Sequence, residues 1–323
     1  MRRRTFLQSL AGMLVAPAVA RAQGAKPASK IGYLHPATID PSSPLISILR
    51  PRWRQLGYVE GETILLRTAH GDVARLPSLV AELIGLGADV LMMVGPQAVR
   101  AARTATSTTP IVGLDLETDP VRSGLVRSWA KPGGNITGCF LDQASMAGKW
   151  LELLQEVEPR LQRIALAWDP NTGSDQLDAA KNAARALGLK TLVLEVSRPE
   201  GFQSALATLG AEPGTGVVLL GSPVLVNPPH HFADAALRLK LPTVSFFKPI
   251  AKAGGLMTYG VQQETYFPRA LSMAHEILNG AKPGDIPVER PNHYELVINL
   301  KTAKALGLTI PLTLQVAAEE VIE

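Results

Sequence analysis

GADVLMMVGP (residues 87–96) and GTGVVLLGSP (residues 214–223) share one pattern, a continuous apolar run that ends in glycine and proline. Such uninterrupted runs are typical of strands buried on both faces of a parallel sheet. Each copy is followed by a helical pattern and then by a strand led by proline, at Pro110 and at Pro242. All βαβ units have this general form, but here the order of elements matches in both halves. The match predicts two similar α/β lobes joined near residues 136–142.

Short apolar runs alternate with helical patterns along the rest of the chain. Leu79, Leu83 and Leu86, for example, recur at the spacing of one helix face. Strand–helix alternation of this kind predicts right-handed βαβ units and mostly parallel sheets, and hence an α/β fold. The predicted strands are Ile31–Leu34, Ile64–Thr68, Val90–Val94, Ile111–Asp115, Ile136–Leu141, Ile164–Trp168, Leu192–Val196, Val217–Leu220, Thr243–Phe247, Leu256–Tyr259 and Glu295–Leu300.

Length and composition favour two domains. The chain has 323 residues, of which 46% are hydrophobic, and a single core usually divides beyond roughly 250–300 residues. Aromatic residues make up only 5% of the chain, which argues against an aromatic-lined surface for polysaccharide or single-stranded nucleic acid. The one cysteine, Cys139, allows no internal disulfide, and its apolar neighbours predict that it is buried.

The first residues have the order of an export signal. Arg2–Arg4 precede a weakly apolar run, Leu10–Val19, and the small-x-small cleavage pattern Ala20–Ala22. The paired arginines favour the twin-arginine route over Sec export. Because the apolar run is shorter than the roughly 20 residues of a membrane span, a signal peptide over residues 1–22 is favoured over an uncleaved anchor. The mature chain is therefore expected in the periplasm.

The positive net charge of the chain comes from that signal. The whole chain has 32 Lys and Arg against 28 Asp and Glu, and residues 1–22 contain four arginines and no acidic residue. The mature part is thus neutral. Because phosphate binding needs clustered basic charge, no nucleic-acid partner is expected.

Residues that follow the predicted strands are the candidates for a ligand site. Open parallel sheets bind ligands beyond the carboxyl ends of their strands, where helix N-termini supply free N–H groups. The candidates are His35, Gly95, Pro96, Gln97, Glu117, Asp119, Asp169, Asn171, Ser222, Phe246, Phe247 and Tyr259.

Several of these candidates have an ordinary structural alternative. Asp119 precedes a proline and suits a helix N-cap. Asp169 and Asn171 suit an Asx turn, and Tyr259 suits core packing. Glu117 has no such alternative, so it is the best candidate to bind an ammonium or hydroxyl group of a ligand.

Two further segments leave both possibilities open. Gly95–Gln97 either begins a helix in the usual way or holds a ligand carboxylate with its first amides. If one of Phe246 and Phe247 faces the core, the other faces the cleft or a loop. In the cleft it would form part of the apolar wall that small-molecule pockets usually have.

Sequence signatures of catalysis are absent. The chain has no Gly-x-Ser-x-Gly elbow, no His-Glu-x-x-His, no phosphate-binding loop and no Gly-x-Gly-x-x-Gly turn. The adjacent pair His230 and His231 would point in different directions on a helix, so a shared metal is not expected. The pattern predicts a binding protein without a cofactor rather than an enzyme.

Five segments carry a pattern that is specific for one family. They are Leu56–Gly61 (LGYVEG), Thr118–Val126 (TDPVRSGLV), Lys131–Gly138 (KPGGNITG), Ala253–Gly260 (AGGLMTYG) and Tyr294–Lys304 (YELVINLKTAK). Through them the chain resembles the periplasmic substrate-binding proteins of ABC importers, in the group associated with tryptophan, tyrosine and other aromatic amino acids. The resemblance extends from Lys30 to Glu323.

The resemblance implies a type I periplasmic-binding-protein fold, with two hinged Rossmann-like lobes and three crossings between them. Residues 30–138 and 261–290 would form the N-terminal lobe, and residues 139–260 and 291–323 the C-terminal lobe. A monomer of this kind closes on a small organic solute, an amino acid or a similar compound. It then delivers the solute to an ABC permease in the inner membrane.

This chain departs from the family pattern at three edges of the expected pocket. The family usually has Gly-Thr-Pro-Ala where this chain has Gly95-Pro96-Gln97-Ala98, so a hydroxyl that could hold a carboxylate is missing. Thr118, preceded by Glu117, stands where the family has a glycine before the Asp-Pro turn. Asp169 stands where the family commonly has the asparagine of a Trp-Asn-Pro turn. An aromatic amino acid is therefore not assumed as the ligand.

Two other functions are consistent with the same sequence. A ligand-sensing module for a chemoreceptor or sensor kinase would have the same lobes, and only neighbouring permease and ATPase genes would separate it from a transport protein. An exported small-molecule enzyme that uses Glu117 and Asp119 as an acid–base pair is the less favoured alternative.

Overall fold

The structure, a computed structural model, describes residues 29–40, 43–210 and 212–323. The predicted export signal over residues 1–22 lies outside the described residues. Across the described ranges, every helix is too short or too polar to cross a lipid bilayer. The chain forms two α/β lobes, each built around its own sheet, which confirms the predicted fold class.

The first sheet contains five parallel strands in the order β2-β1-β3-β4-β5. Its strands are β1 (Ile31–His35), β2 (Ile64–Thr68), β3 (Val90–Val94), β4 (Ile111–Asp115) and β5 (Ile136–Phe140). The helices between or against them are α1 (Pro44–Gln55), α2 (Leu76–Gly85), α3 (Gly95–Ala105) and, from later in the chain, α9 (Gln263–Leu278).

The second sheet has seven strands in the order β12-β11-β10-β9-β8-β6-β7, parallel except for the antiparallel pair β10–β11. Its strands are β6 (Arg163–Trp168), β7 (Lys190–Glu195), β8 (Thr215–Leu219), β9 (Thr243–Ser245), β10 (Met257–Val261), β11 (Tyr294–Asn299) and β12 (Glu320–Ile322). Its helices are α4 (Ala147–Val157), α5 (Asp175–Ala186), α6 (Phe202–Ala207), α7 (His230–Arg238), α8 (Pro249–Lys252), α10 (Leu300–Leu306) and α11 (Leu312–Ala317).

The apolar run of β3 is buried on both sides because helices cover both faces of the first sheet. Val90 and Met92 belong to the same cluster as the side chains of α1 and α9, whereas Leu91 and Met93 pack with those of α2 and α3. Cys139 on β5 is also buried, as its neighbours predict. A strand covered in this way exposes only its ends, and polar groups that follow the strand therefore gather at one edge of the sheet.

All eleven predicted strands are present within two residues of their predicted ends. One difference of two residues is at β9, which ends at Ser245 because the chain turns before Phe246 and Phe247. The sequence pattern missed β12, since Glu320–Ile322 is short, half-buried and alternates polar with apolar residues only once.

The chain passes between the two sheets after β5, between β10 and α9, and before β11. We retain these three crossings as the proposed lobe boundaries, near residues 260 and 290 as predicted. We place the first crossing just after Phe140 and not at the predicted boundary, residue 138, because β5 pairs with β4 as far as Phe140.

The close approach of β4 and β5 depends on Gly138. Its φ of +142° is a conformation that residues with side chains rarely adopt, and a Cβ there would lie 2.1 Å from the carbonyl oxygen of Gly113 on β4.

We expect Gly138→Ala to lower the free energy of unfolding by about 3 kcal/mol, measured by urea denaturation. Gly148→Ala is the control, because a Cβ at this position of α4 meets no atom within 4 Å. An equal loss in both variants would contradict the prediction.

Candidate functional site

A cavity of about 130 Å³ lies between the two lobes, at the carboxyl ends of their strands. On the first lobe its wall includes His35 at the end of β1, Val94 at the end of β3, and Glu117 just after β4. On the second lobe Pro223 follows β8 and Phe247 follows β9. This position agrees with the rule that ligands of parallel sheets bind where the strands end and helices begin.

Two carboxyl groups at the end of β4 dominate the electrostatics of the cavity. Glu117 lines it and is 3% exposed, and Asp115 beside it is 1% exposed. Oδ1 of Asp115 accepts hydrogen bonds from the backbone N–H groups of Glu117 (3.1 Å) and Thr118 (3.0 Å). Its Oδ2 has no hydrogen-bond partner among the described residues.

Burial disfavours the charged form of both carboxyl groups. It raises the pKa of Asp115 to about 6, against the effect of the two backbone donors and of Arg100. It raises the pKa of Glu117 well above its usual value, and the neighbouring charge of Asp115 raises it further. Glu117 on the wall and Asp115 beside it therefore form an acidic pair, and a cation in the cavity would stabilise the ionised form of this pair.

His35 contributes a neutral donor to the same wall. Burial lowers the pKa of the His35 ring to about 4, so the ring is uncharged at neutral pH. Its Nδ1 lies 3.1 Å from the backbone nitrogen of Ala37 and accepts that N–H. The ring proton is therefore on Nε2, which is the donor that remains for a ligand.

The rest of the wall is largely apolar and aromatic. The ring of Phe247 packs edge-on against that of Phe246, with 4.9 Å between centroids. Leu114 and Leu116 flank the two carboxyl groups on β4 and its extension, and Tyr266 reaches the cavity from α9. A few polar groups in an apolar wall are the usual composition of a small-molecule pocket.

Direct contacts between the lobes close the cleft over the cavity. Nη2 of Arg100 on α3 donates to the carbonyl oxygen of Asn171 in the second lobe at 2.9 Å. Nη2 of Arg122 lies 3.0 Å from Oδ2 of Asp175 at the start of α5. The latter pair is more than half exposed on both sides, so it adds little to the free energy of closure.

The structure brings three of the sequence-predicted residues together at the cavity: His35, Glu117 and Phe247. Gly95 and Pro96 begin α3 next to it, and Gly95 faces the ring of Pro223 across the cleft. Gln97 lies one position further, in a separate groove together with Asn171. Both polar atoms of the Gln97 side chain are buried without a partner in the described part of the chain.

The remaining acidic candidates form local hydrogen bonds outside the cavity wall. Oδ1 of Asp119 accepts from the N–H groups of Val121 (2.8 Å) and Arg122 (3.0 Å), but it caps a turn and not a helix, because the described chain forms no helix between β4 and β5. Asp169 accepts from Asn171 in a turn of the Asx type. The hydroxyl of Ser222 donates to Asp169 Oδ2 at 2.8 Å, so this pair stabilises the second lobe.

The last two aromatic candidates also lie outside the cavity wall. Phe246 is 1% exposed and packs edge-on against Trp150 in the core of the second lobe. Tyr259 stacks on Tyr294 with 6.0 Å between ring centroids. Of the two adjacent phenylalanines, Phe247 is therefore the one that faces the cleft.

Sequence reasoning missed several residues of the wall. Gln263 and Tyr266 belong to α9, which follows the second-lobe strand β10 but packs on the first lobe. Thr38 and Ser43 lie in the connection after β1, and Asn227 in the long turn after β8. All of them lie within nine residues after the end of a predicted strand, so the strand ends were the signal that could have identified them.

No group of three His, Cys, Asp or Glu side chains with the arrangement of a metal site occurs in the three described ranges.

Two α/β lobes with a small cavity between them are the architecture of the type I periplasmic-binding-protein fold. The chain belongs to the ABC transporter substrate binding protein family, whose sequence model matches residues 50–322.

Known proteins similar to this chain include one from Clostridioides difficile (strain R20291) called "Tyrosine-binding protein". It is 26% identical over 262 residues, which are 78% of this chain and 73% of that protein. An ABC domain from Streptococcus pneumonia in complex with L-Trp has the same fold, with a TM-score of 0.80 and 23% identity over 91% of this chain and 99% of that one. A conserved domain protein from Vibrio cholerae also has a TM-score of 0.80, with 24% identity and the same coverage.

The acidic pair should make the free energy of unfolding depend on pH. The folded protein holds protons on Asp115 and Glu117 more tightly than the unfolded chain, so its stability falls as pH rises from about 4. We expect Glu117→Gln to be as stable as the wild type at pH ~4 and more stable at pH ~8, because it removes the group that is hardest to ionise. Thermal unfolding across this pH range measures the difference.

Asp119→Ala is the contrasting variant. It removes the side-chain acceptor of a turn rather than a cavity charge, so it should lower the free energy of unfolding by about 1 kcal/mol near neutral pH. A Glu117→Gln variant that is less stable than the wild type at high pH would contradict the role given to the acidic pair.

Proposed function

We propose that this protein captures a small organic solute, an amino acid or a similar compound, in the cavity between its lobes and delivers it to the permease of an ABC importer. The observation that carries the proposal is the buried Glu117 on one lobe facing an apolar wall with Phe247 on the other. The C. difficile relative named for tyrosine binding and the L-Trp complex with the same fold support an amino-acid-like solute. The export signal predicted over residues 1–22 supports a periplasmic location.

Closure couples binding to a change of shape. Both lobes contribute to the cavity wall, so a solute contacts all of it only when the cleft is shut. A solute that makes these additional contacts stabilises the closed form and shifts an open–closed equilibrium toward it. A permease can then distinguish the loaded protein from the empty one by the relative position of the lobes.

A search for the solute, followed by small-angle X-ray scattering with the solutes found, tests this proposal. Native mass spectrometry of protein purified from its own host identifies a co-purifying solute. A thermal-shift library of amino acids, amines and neutral solutes extends the search. Addition of a binding solute should lower the radius of gyration in small-angle X-ray scattering. A rigid particle that no solute stabilises or compacts would overturn the proposed function.

Phe247→Ala should weaken binding of the solute by roughly tenfold or more, because it removes a buried aromatic contact from the second-lobe wall. Calorimetric titration measures the dissociation constant. Phe247→Leu is the matched control, since it keeps an apolar side chain at the same place and should lose less affinity. Circular dichroism checks that both variants are folded. Unchanged affinity in Phe247→Ala would mean that the solute binds elsewhere.

A further inference from the structure

Among the described residues that line the cavity between the lobes, Glu117 carries a buried carboxyl group and none is Lys or Arg. We infer that its solute is an organic amine cation with an apolar body and without a carboxylate next to the amine. This inference rests on the proposed function, because it concerns the same cavity.

The first-lobe wall offers a site for a cation. Glu117 and Asp115 are both almost completely buried, and among the described residues neither forms an ion pair with Lys or Arg at 4.0 Å or less. The described lining contains no Lys or Arg. Buried carboxylates are normally paired, so an ammonium group of the solute supplies the missing partner. His35 adds no positive charge, since its buried ring is neutral.

The second-lobe wall offers almost nothing to an anion. Pro223, Pro229 and Pro249 line it and have no backbone N–H. The N–H of Val226 donates to Ser222 O, and the N–H of Asn227 donates to Val224 O. The side-chain amide of Asn227 donates to the carbonyl oxygen of Pro223 at 3.1 Å. The three prolines therefore offer no donor, and the backbone N–H groups of Val226 and Asn227 are already used within the lobe.

The start of α3 is the position where a helix N-terminus would otherwise hold a carboxylate. Gly95 is covered there by the second lobe, because a Cβ on it would lie only 2.8 Å from Cγ of Pro223. Pro96 has neither an N–H nor a hydroxyl group. The closed cleft thus covers the first turn of α3 with a proline ring, and a carboxylate has no access between them.

The neutral donors that remain are on the same wall as Glu117. They are Nε2–H of His35, the side-chain amide of Gln263, and the hydroxyl groups of Thr38, Ser43 and Tyr266, of which Thr38 Oγ1 also lies 3.2 Å from Nδ1 of His70. A carboxylate bound to them would share that wall with the acidic pair and repel it. An ammonium group has three donors and no such repulsion, and Leu114, Leu116 and Phe247 complete an apolar wall around the solute body.

Two ligand series with matched carbon skeletons test the inference by isothermal titration calorimetry at neutral pH. One contains phenethylamine, L-phenylalanine, hydrocinnamate and phenethyl alcohol; the other contains isoamylamine, L-leucine, isocaproate and isoamyl alcohol. In at least one series the amine should bind roughly tenfold or more tightly than the amino acid, the acid and the alcohol. Glu117→Gln should abolish this preference for the amine.

Glu264→Gln is the matched control, because it removes an exposed acidic residue from the first turn of α9, outside the cavity wall. It should leave the affinity for the amine within about twofold of the wild type. An equal loss of affinity in both variants would indicate a general charge effect and overturn the inference.

The two proposals fail in different ways. Binding of an amino acid, or of a neutral alcohol, as tight as that of its amine would overturn the inference and leave the proposed function intact. The inference would also be overturned, and the proposed function left intact, if the only solutes that compact the protein lack an amine. If neither series nor the wider library binds or compacts the protein, the proposed function is wrong as well.

Discussion

The burial of two carboxyl groups at the end of β4, neither of them in an ion pair within 4.0 Å among the described residues, is the constraint on which the cavity depends. Desolvation of Asp115 and Glu117 is unfavourable, and the backbone donors at Asp115 and the charge of Arg100 compensate for only part of it. Under the proposal made above, a cationic solute removes the remaining cost, so that closure around it is favoured over closure of the empty cleft.

The scaffold that holds this pair is the parallel sheet of the first lobe. Gly138 and Gly113 let β5 and β4 approach closely, and helices on both faces leave only the strand ends for polar groups. The second lobe adds a wall whose prolines supply shape but no hydrogen-bond donors. The first lobe thus carries the acidic side chains, and the second lobe carries the apolar wall that faces them.

Membership of the ABC transporter substrate binding protein family describes the fold and the general task of this chain. The departures that the sequence predicts from the family pattern lie at the start of α3 and after β4, beside the proposed solute site. Pro96 stands where a hydroxyl residue is expected, and Thr118, preceded by Glu117, stands where a glycine is expected. Changes of this kind leave the lobes unaffected, so solute choice can diverge while the architecture is retained.

The sequence by itself determined the lobes and most of the strand ends, because apolar runs and helical spacing report burial that is local to each βαβ unit. It also identified Glu117, since a carboxyl group that follows a buried strand without a capping role is unusual. Pattern alone left Asp119 and Asp169 as further candidates, because a cap, a turn and a ligand contact use the same side chains.

Only the tertiary structure decided which of these residues share one cavity. Tyr266 reaches the first lobe from a helix that follows a strand of the second, and Pro223 meets Gly95 from more than a hundred residues away. Such contacts depend on the path of the chain between lobes and on the closing of one lobe over the other. No local pattern contains that information, because each segment would have the same sequence signal in either lobe.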